Sequence, residues 1–276
     1  MKNLIILISI ATISISCQET IVLDLKDYKE RIVIEGQVTN HAGYQYVRVT
    51  RTAEFYYEGF TPRVSNATVL VSDDLGNEFS FNHNPGNQED SVGYYLPDEL
   101  FIGDVGRTYT LSVKVDEQVY TAKDELFSVS NIDSLSYRVN TKEQEEPKEQ
   151  DKYYECLLFT KEPKDVENYY FFRFYRNDSL KIYGPTDIYF ADDKALAESI
   201  DGIGSPVFYG VKDVARIEFY SLSRDGFIYF NDLSNLLNSD GGVFSQPPSN
   251  CRTNLTNGAL GFFQVSAVDI REIVIE

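Results

Sequence analysis

Residues 31–51, RIVIEGQVTNHAGYQYVRVTR, hold two runs in which apolar and polar side chains alternate. The first run, 31–39, places isoleucine and valine at alternate positions, and the second, 45–51, does so with Val47 and Val49. Period-two alternation of β-branched residues is typical of strands that are buried on one face. The stretch therefore predicts two strands of a sheet that covers a core.

The same alternation recurs further along the first half of the chain. The additional runs are 67–72, 77–82, 107–115 and 118–122. Between them lie turn sequences rich in Asp, Asn, Gly and Pro, at 73–77 and 84–87. Short strands at this spacing predict a β-sandwich of immunoglobulin-like or transthyretin-like character over residues 25–128.

The second half repeats the strand pattern with more aromatic residues, and we predict a second antiparallel β-domain over 129–276. Its strand runs are 135–139, 153–160, 169–176, 215–222, 259–266 and 270–275. The highly polar stretch 142–152 is predicted as a solvated loop. In 225–239, apolar residues at helical spacing after the candidate N-cap Asp225 predict one amphipathic helix packed on the second sheet.

Residues 1–16 have the layout of a secretory signal peptide. Lys2 precedes the uncharged apolar run 4–15, and small residues lead to Cys17. The run is shorter than the roughly 20 residues that a transmembrane helix needs. We expect cleavage before Cys17 and lipidation of its thiol, with 17–24 as an anchor linker. The alternative is an ordinary cleaved signal peptide with an incidental cysteine.

The chain is strongly acidic, with a formal net charge of -18. Such a surface repels nucleic acid and anionic lipid headgroups. We therefore expect no nucleic-acid partner, and any membrane attachment should come from the lipid anchor alone.

Two further thiols, Cys156 and Cys251, follow Cys17 in the sequence. In an oxidising compartment they are a candidate disulfide that would join distant segments. Two buried, unpaired cysteines are the alternative, because spacing in the sequence does not bring two Cα atoms within about 7 Å.

The sequence offers no recognisable arrangement of catalytic side chains. The two histidines, His41 and His83, form no HExxH motif, and no nucleophile elbow, P-loop or dinucleotide fingerprint is present. We therefore predict a non-enzymatic protein with no catalytic residues, no metal site and no cofactor.

One acidic cluster has two interpretations. Asp73 and Asp74, with Asn77 and Glu78, supply the oxygen ligands that calcium prefers. The same residues are also typical of the tip of a β-hairpin, where Asp, Gly and Asn suit the backbone geometry. We favour the hairpin.

The loop 53–62 (AEFYYEGFTP) is the best candidate interface. Its aromatic residues Phe55, Tyr56, Tyr57 and Phe60 cluster where a loop is normally polar. Clustered exposed aromatics usually mark a contact surface.

The piece 240–261 contains many Gly, Pro and Asn residues and is too irregular for a strand or helix. Loops of that length are usually functional or disordered. One interpretation is that it shapes a binding surface. The other, which we prefer, is that it closes the fold.

Six segments together carry a resemblance to a known family. They are IVIEGQVTN, NATVLVSDDLGN (66–77), VGRTYTLSVKV (105–115), VYTA (119–122), IDSLSY (132–137) and GGVFSQPPSNCRTNLTNGALGFFQVSAV (241–268). With the N-terminal cysteine, they resemble a family of Bacteroidota lipoproteins known as domain of unknown function 4249. The last segment is the most specific, and the resemblance covers nearly all of the chain after the signal peptide.

The resemblance implies a location and a partner, and it brings no catalytic residues. Members of that family are typically encoded beside TonB-dependent outer-membrane receptors. The implied protein is an outer-membrane-anchored lipoprotein facing the cell exterior, an accessory subunit of such a receptor in nutrient uptake or export. The alternative is a stand-alone carbohydrate- or peptide-binding lipoprotein.

Overall fold

The structure is a computed structural model that describes residues 29–54, 57–161, 167–196, 199–239 and 249–276. The protein is mainly β, as predicted, with antiparallel sheets and one long helix in these ranges.

The elements take their numbers from their order in the chain. The strands are β1 Ile32–Thr39, β2 Tyr46–Arg51, β3 Thr68–Asp73, β4 Glu78–His83, β5 Tyr94–Pro97, β6 Thr108–Val115, β7 Gln118–Glu125, β8 Ile132–Val139, β9 Tyr154–Lys161, β10 Tyr169–Arg176, β11 Ser179–Leu180, β12 Tyr189–Asp192, β13 Ser199–Tyr209, β14 Val214–Leu222, β15 Leu260–Ser266 and β16 Val268–Val274. The α-helices are α1 Thr141–Glu145, α2 Asp193–Leu196 and α3 Arg224–Leu237, and a 3₁₀ turn covers Glu89–Ser91.

An eight-stranded sheet surrounds the first core, in the order β15-β1-β2-β5-β4-β3-β6-β7. The alternation that predicted β1 and β2 is seen in the structure, because Ile34, Val47 and Val49 are fully buried. Neighbouring strands are antiparallel except at one edge, where β15 runs parallel to β1 from Val33↔Leu260 to Thr39↔Ser266. The last quarter of the chain thus completes the first sheet.

Side chains join the two edge strands of this sheet, β7 and β15. Asp124 accepts a hydrogen bond from the Val265 amide at 2.9 Å. Asn254 accepts from the Phe263 amide at 3.1 Å, and its side-chain amide donates to the carbonyls of Phe263 (2.8 Å) and Lys123 (3.1 Å). The glycine-rich piece therefore closes the first sheet through its described residues.

The second core lies between the three-stranded sheet β13-β9-β8 and the sheet formed by β10, β11, β12, β14 and β16. Its fully or almost fully buried side chains are Ile132, Cys156, Leu158, Tyr170, Val207, Tyr209, Ile217 and Phe219. Strands β8 and β9 form a long antiparallel hairpin within it.

Helix α3 begins two residues earlier than the predicted cap implies. Ser223, and not Asp225, is the N-cap, and its Oγ accepts from the Gly226 amide at 3.1 Å. Asp225 instead lies in the first turn, where its negative charge is favourable beside the helix dipole.

The apolar side of α3 packs on the second sheet, as predicted. The ring of Phe230 stacks on that of Phe171 in β10 with their centroids 4.6 Å apart, and the ring centroids of Phe227 and Tyr169 are 4.8 Å apart. Tyr229 extends the contact to Phe262 of β15, so the helix touches both sheets.

The polar stretch 142–152 is more ordered than the predicted solvated loop. It contains most of α1, and Glu143 is buried, with a hydrogen bond from the Lys148 amide at 3.3 Å. Glu149 also pairs with the buried guanidinium of Arg176. Most of the stretch is exposed to solvent, as predicted, but the prediction missed the short helix and the contacts of Glu143 and Glu149.

Residues Arg31–Glu276 cluster as one compact unit. The division into domains at 25–128 and 129–276 stays a prediction. Strand β15, from the second of these ranges, pairs with β1 from the first.

Candidate functional site

The aromatic loop 53–62 presents the described part of the predicted interface. Phe60 is 87% exposed and Tyr57 is 52% exposed. Phe55 and Tyr56 lie outside the described residues. Such exposure of large apolar rings costs free energy in water, so the loop is a candidate contact surface.

Hydrogen bonds hold both ends of this loop on the first sheet. The Arg51 amide donates to the Pro62 carbonyl at 2.8 Å, and the Val64 amide donates to the Val49 carbonyl at 3.0 Å. The Arg63 guanidinium donates to the carbonyl of Glu89 at 3.0 Å. The aromatic side chains are therefore carried by a loop with fixed ends.

The loop starts beside the first residue of the compact unit. Two hydrogen bonds join Arg31 and Thr52. The Arg31 amide donates to the Thr52 hydroxyl at 3.0 Å, and the Thr52 amide donates to the Arg31 carbonyl at 2.9 Å. The Arg31 guanidinium also donates to the Gly258 carbonyl at 2.6 Å. The aromatic loop thus begins beside Arg31, at one end of the first sheet.

A second candidate site is a cleft of about 360 Å³ between the first sheet and β10 and β14. The loop after β1 and strands β2 and β5 form one wall, and β10 and β14 form the other. Its main lining side chains are Tyr44, Tyr46, Tyr94, Arg173, Tyr175 and Glu218.

Glu218 is buried at the base of the cleft and is held by tyrosine hydroxyls. Tyr44 donates to Oε1 at 3.0 Å, and Tyr175 and Tyr220 donate to Oε2 at 3.1 and 2.6 Å. Burial, together with the negative charge of Glu218, raises the pKa of Tyr44 to about 12. The hydroxyls therefore stay protonated and remain donors at physiological pH.

Arg173 lines the same cleft and has neutral hydrogen-bond partners. It donates to the Tyr220 hydroxyl at 3.2 Å and to Gln37 Oε1 at 3.1 Å. The rings of Tyr220 and Phe171 lie 5.1 and 5.6 Å from its Cζ, within cation–π range.

Sequence reasoning did not assign this cleft. The sequence did carry a signal for Arg173, the one charged residue inside the aromatic run of β10, and for Glu218 among the apolar residues of β14. The sequence did not predict that these two residues lie close to Tyr44, which is 174 positions before Glu218.

The candidate disulfide residues are free thiols. Cys156 is fully buried in β9, and Cys251 is half-buried in the segment before β15. Burial raises the pKa of the Cys156 thiol to about 12, so it is unreactive as a nucleophile. The candidate lipidation site, Cys17, lies outside the described residues.

The acidic cluster after β3 forms the tip of a hairpin, as favoured. Asp73 Oδ1 accepts from the amides of Leu75 and Asn77 at 2.9 Å, and Oδ2 accepts from the Asn77 side chain at 2.7 Å. Its oxygens therefore serve the turn. The ranges that the structure covers contain no group of three His, Cys, Asp or Glu side chains placed to hold a metal ion.

Comparison with known proteins gives one family match. A family model described as "Domain of unknown function (DUF4249)" matches residues 18–272. No curated protein matches the chain. Within the part of the chain that the structure describes, no helix has the length and apolar character needed to span a membrane.

Proposed function

We propose that this chain, which belongs to the DUF4249 family, is a lipid-anchored outer-membrane protein that acts as an accessory subunit of a TonB-dependent receptor. It faces the cell exterior and takes part in nutrient uptake or export. Cys17 carries the lipid, and the aromatic loop 53–62 contacts the receptor.

The position of the aromatic loop carries this proposal. Phe60 and Tyr57 are exposed on a loop that begins beside Arg31. Arg31 lies 14 positions after Cys17 (31 − 17), and an extended chain of that length spans at most about 50 Å. With Cys17 as the anchor, the start of the loop would stay within that distance of the membrane that holds the receptor.

The chemistry of the loop suits a protein surface better than lipid headgroups. Exposed aromatic rings are enriched at the centres of protein interfaces. The net charge of -18 disfavours binding to anionic headgroups, so the acyl chains and a protein partner would supply the attachment.

The test is an affinity pull-down from detergent-solubilised outer membrane, with a C-terminal tag and Cys17 intact. The wild-type chain should recover a large β-barrel receptor in near-equal amount. Replacing Tyr57 and Phe60 together by serine should lower the recovery by about tenfold or more, since hot-spot aromatics each contribute at least about 2 kcal/mol. Leu75→Ser is the matched control, because Leu75 is 73% exposed on the β3–β4 turn.

Recovery of the wild-type chain without a barrel protein would contradict a stable receptor complex. The cleft around Arg173 would then favour the second candidate function, a stand-alone carbohydrate- or peptide-binding lipoprotein.

A further inference from the structure

Arg173 is a half-buried cation whose hydrogen-bond partners are neutral. Charges in protein interiors are normally paired with an opposite charge, because desolvation is costly. Among the described residues, no carboxylate lies within ion-pair distance of Arg173, and its donors meet Tyr220 and Gln37. The Arg173 guanidinium therefore lacks a direct anionic partner in the cleft that it lines.

The one buried carboxylate of the cleft is already occupied. Both oxygens of Glu218 accept hydrogen bonds from Tyr44, Tyr175 and Tyr220, and it reaches Arg173 only through the Tyr220 hydroxyl. The three tyrosines thus satisfy Glu218 and leave the positive charge of Arg173 available to a ligand.

Arg216, the other arginine of the cleft, differs from Arg173 in this respect. It forms ion pairs with Asp178 at 2.7 Å and Glu272 at 3.6 Å, and it lies 3.7 Å from Glu218. Its charge is balanced by three carboxylates. Arg173 is therefore the group that would attract an anion.

The outer part of the cleft offers apolar surface beside that charge. The rings of Tyr46 and Tyr94 lie 6.0 Å apart at a 49° tilt, and Leu96 is 40% exposed. Tyrosine rings are suited to stack on the flat face of a sugar or on a peptide unit.

We propose that this cleft binds a carboxylate-bearing ligand, with Arg173 holding the carboxylate and Tyr46 and Tyr94 contacting the adjoining part of the ligand. A uronic acid unit of an acidic glycan and the C-terminus of a peptide share this chemistry. The proposal goes beyond the receptor partnership and does not depend on it.

Isothermal titration on the purified full chain tests the proposal with two matched pairs of probes. One pair is trigalacturonic acid and its methyl ester, and the other is a tripeptide and its C-terminal amide. At least one acidic probe should bind with a Kd tighter than about 1 mM. Its neutral partner should bind about tenfold more weakly or worse, because it cannot offer an ionised carboxylate to the Arg173 guanidinium. The pair that responds identifies the source of the carboxylate.

Variants assign the binding to the cleft. Arg173→Gln should weaken the acidic probe by about tenfold or more, whereas Arg252→Gln, an exposed arginine paired with Asp232, should leave the Kd unchanged. If Arg173→Gln does not fold, Tyr94→Ala replaces it as the test variant and should also weaken binding. The proposal is overturned if no acidic probe binds more tightly than about 1 mM, if the neutral forms bind equally well, or if the folded cleft variant keeps the wild-type Kd.

Discussion

Asp124 is a buried carboxylate at the junction of β7 and β15. Asp124 is 8% exposed, and its carboxylate accepts a hydrogen bond from the Val265 amide at 2.9 Å. Burial outweighs the hydrogen bonds to Val265 and Ser223 and raises the pKa of Asp124 from 3.8 to about 7. The folded protein therefore holds this proton over a pH range in which the unfolded chain has lost it.

The free energy of unfolding should therefore fall as the pH rises from about 4 to about 7, because Asp124 must lose its proton in a buried site. Asp124→Asn keeps an oxygen acceptor for Val265 and removes the charge. The variant should match the wild type near pH 4 and exceed it at pH 8, by up to about 4 kcal/mol at 1.36 kcal/mol per pKa unit. Urea unfolding at both pH values measures the difference.

Glu117→Gln, at an exposed position of the β6–β7 turn, is the control for the loss of one acidic group. If the free energy of unfolding of both variants changed with pH as that of the wild type does, Asp124 would not be the source of the pH dependence.

Single residues also show what sequence reasoning can and cannot locate. Tyr57 and Phe60 could be identified because aromatic residues in a short polar loop stand out without any knowledge of the fold. The cleft could not, because the contact between Gln37 and Arg173 spans 136 positions. Tyr46 and Tyr94 are also ordinary strand tyrosines when each is considered alone.

At the scale of elements, alternation predicted the regular strands and missed the irregular ones. β5 is four residues long and ends in Pro97, and β13 contains Gly202 and Gly204 with register shifts against β9. Neither shows a clean period of two. The parallel pairing of β15 with β1 was also unpredictable, because alternation defines a strand and does not choose its neighbour.

Asn254 is the main side-chain bridge between the edge strands β7 and β15. Asn254→Ala should destabilise the protein by roughly 2–4 kcal/mol, because three hydrogen bonds are lost and backbone groups of Phe263 and Lys123 lose partners. Thermal and urea unfolding measure the loss. Asn250→Ala, at an exposed position of the same segment, should change stability by less than about 0.5 kcal/mol.

A loss at Asn254 no larger than the loss at Asn250 would show that backbone pairing alone holds the edges together. The sheet would then owe its closure to β1 and the core beneath it.

At the scale of the whole molecule, the two cores share the end of the chain. β15 lies in the first sheet and β16 in the second, and the segment from Val265 to Val268 passes directly from one to the other. Phe263 and Val265 are buried in the first core, although they lie more than 100 residues after its other strands. The first core is therefore incomplete without the C-terminal segment.

A fragment of residues 25–128 tests whether the first half folds alone. It would lack β15 and would expose Ile34 and Leu111, which are fully buried in the whole chain. We expect no cooperative urea transition for the fragment, whereas a chain of residues 25–276 should unfold cooperatively. A sharp transition in the fragment would establish 25–128 as an independent domain and contradict this expectation.

The parallel pairing of β1 with β15 also orders events in time. The Arg31 side chain donates a hydrogen bond to Gly258, which lies 227 positions later in the chain. At 5–20 residues per second, the ribosome adds Gly258 about 10 to 50 s after Arg31. Contacts so distant in sequence close late, because the entropy of a long loop must be lost first. The emerging chain thus has no finished first sheet until its final strands appear. Under the export proposed above, this late folding would keep the chain unfolded while it crosses a translocation channel, because the first sheet needs the C-terminal strands.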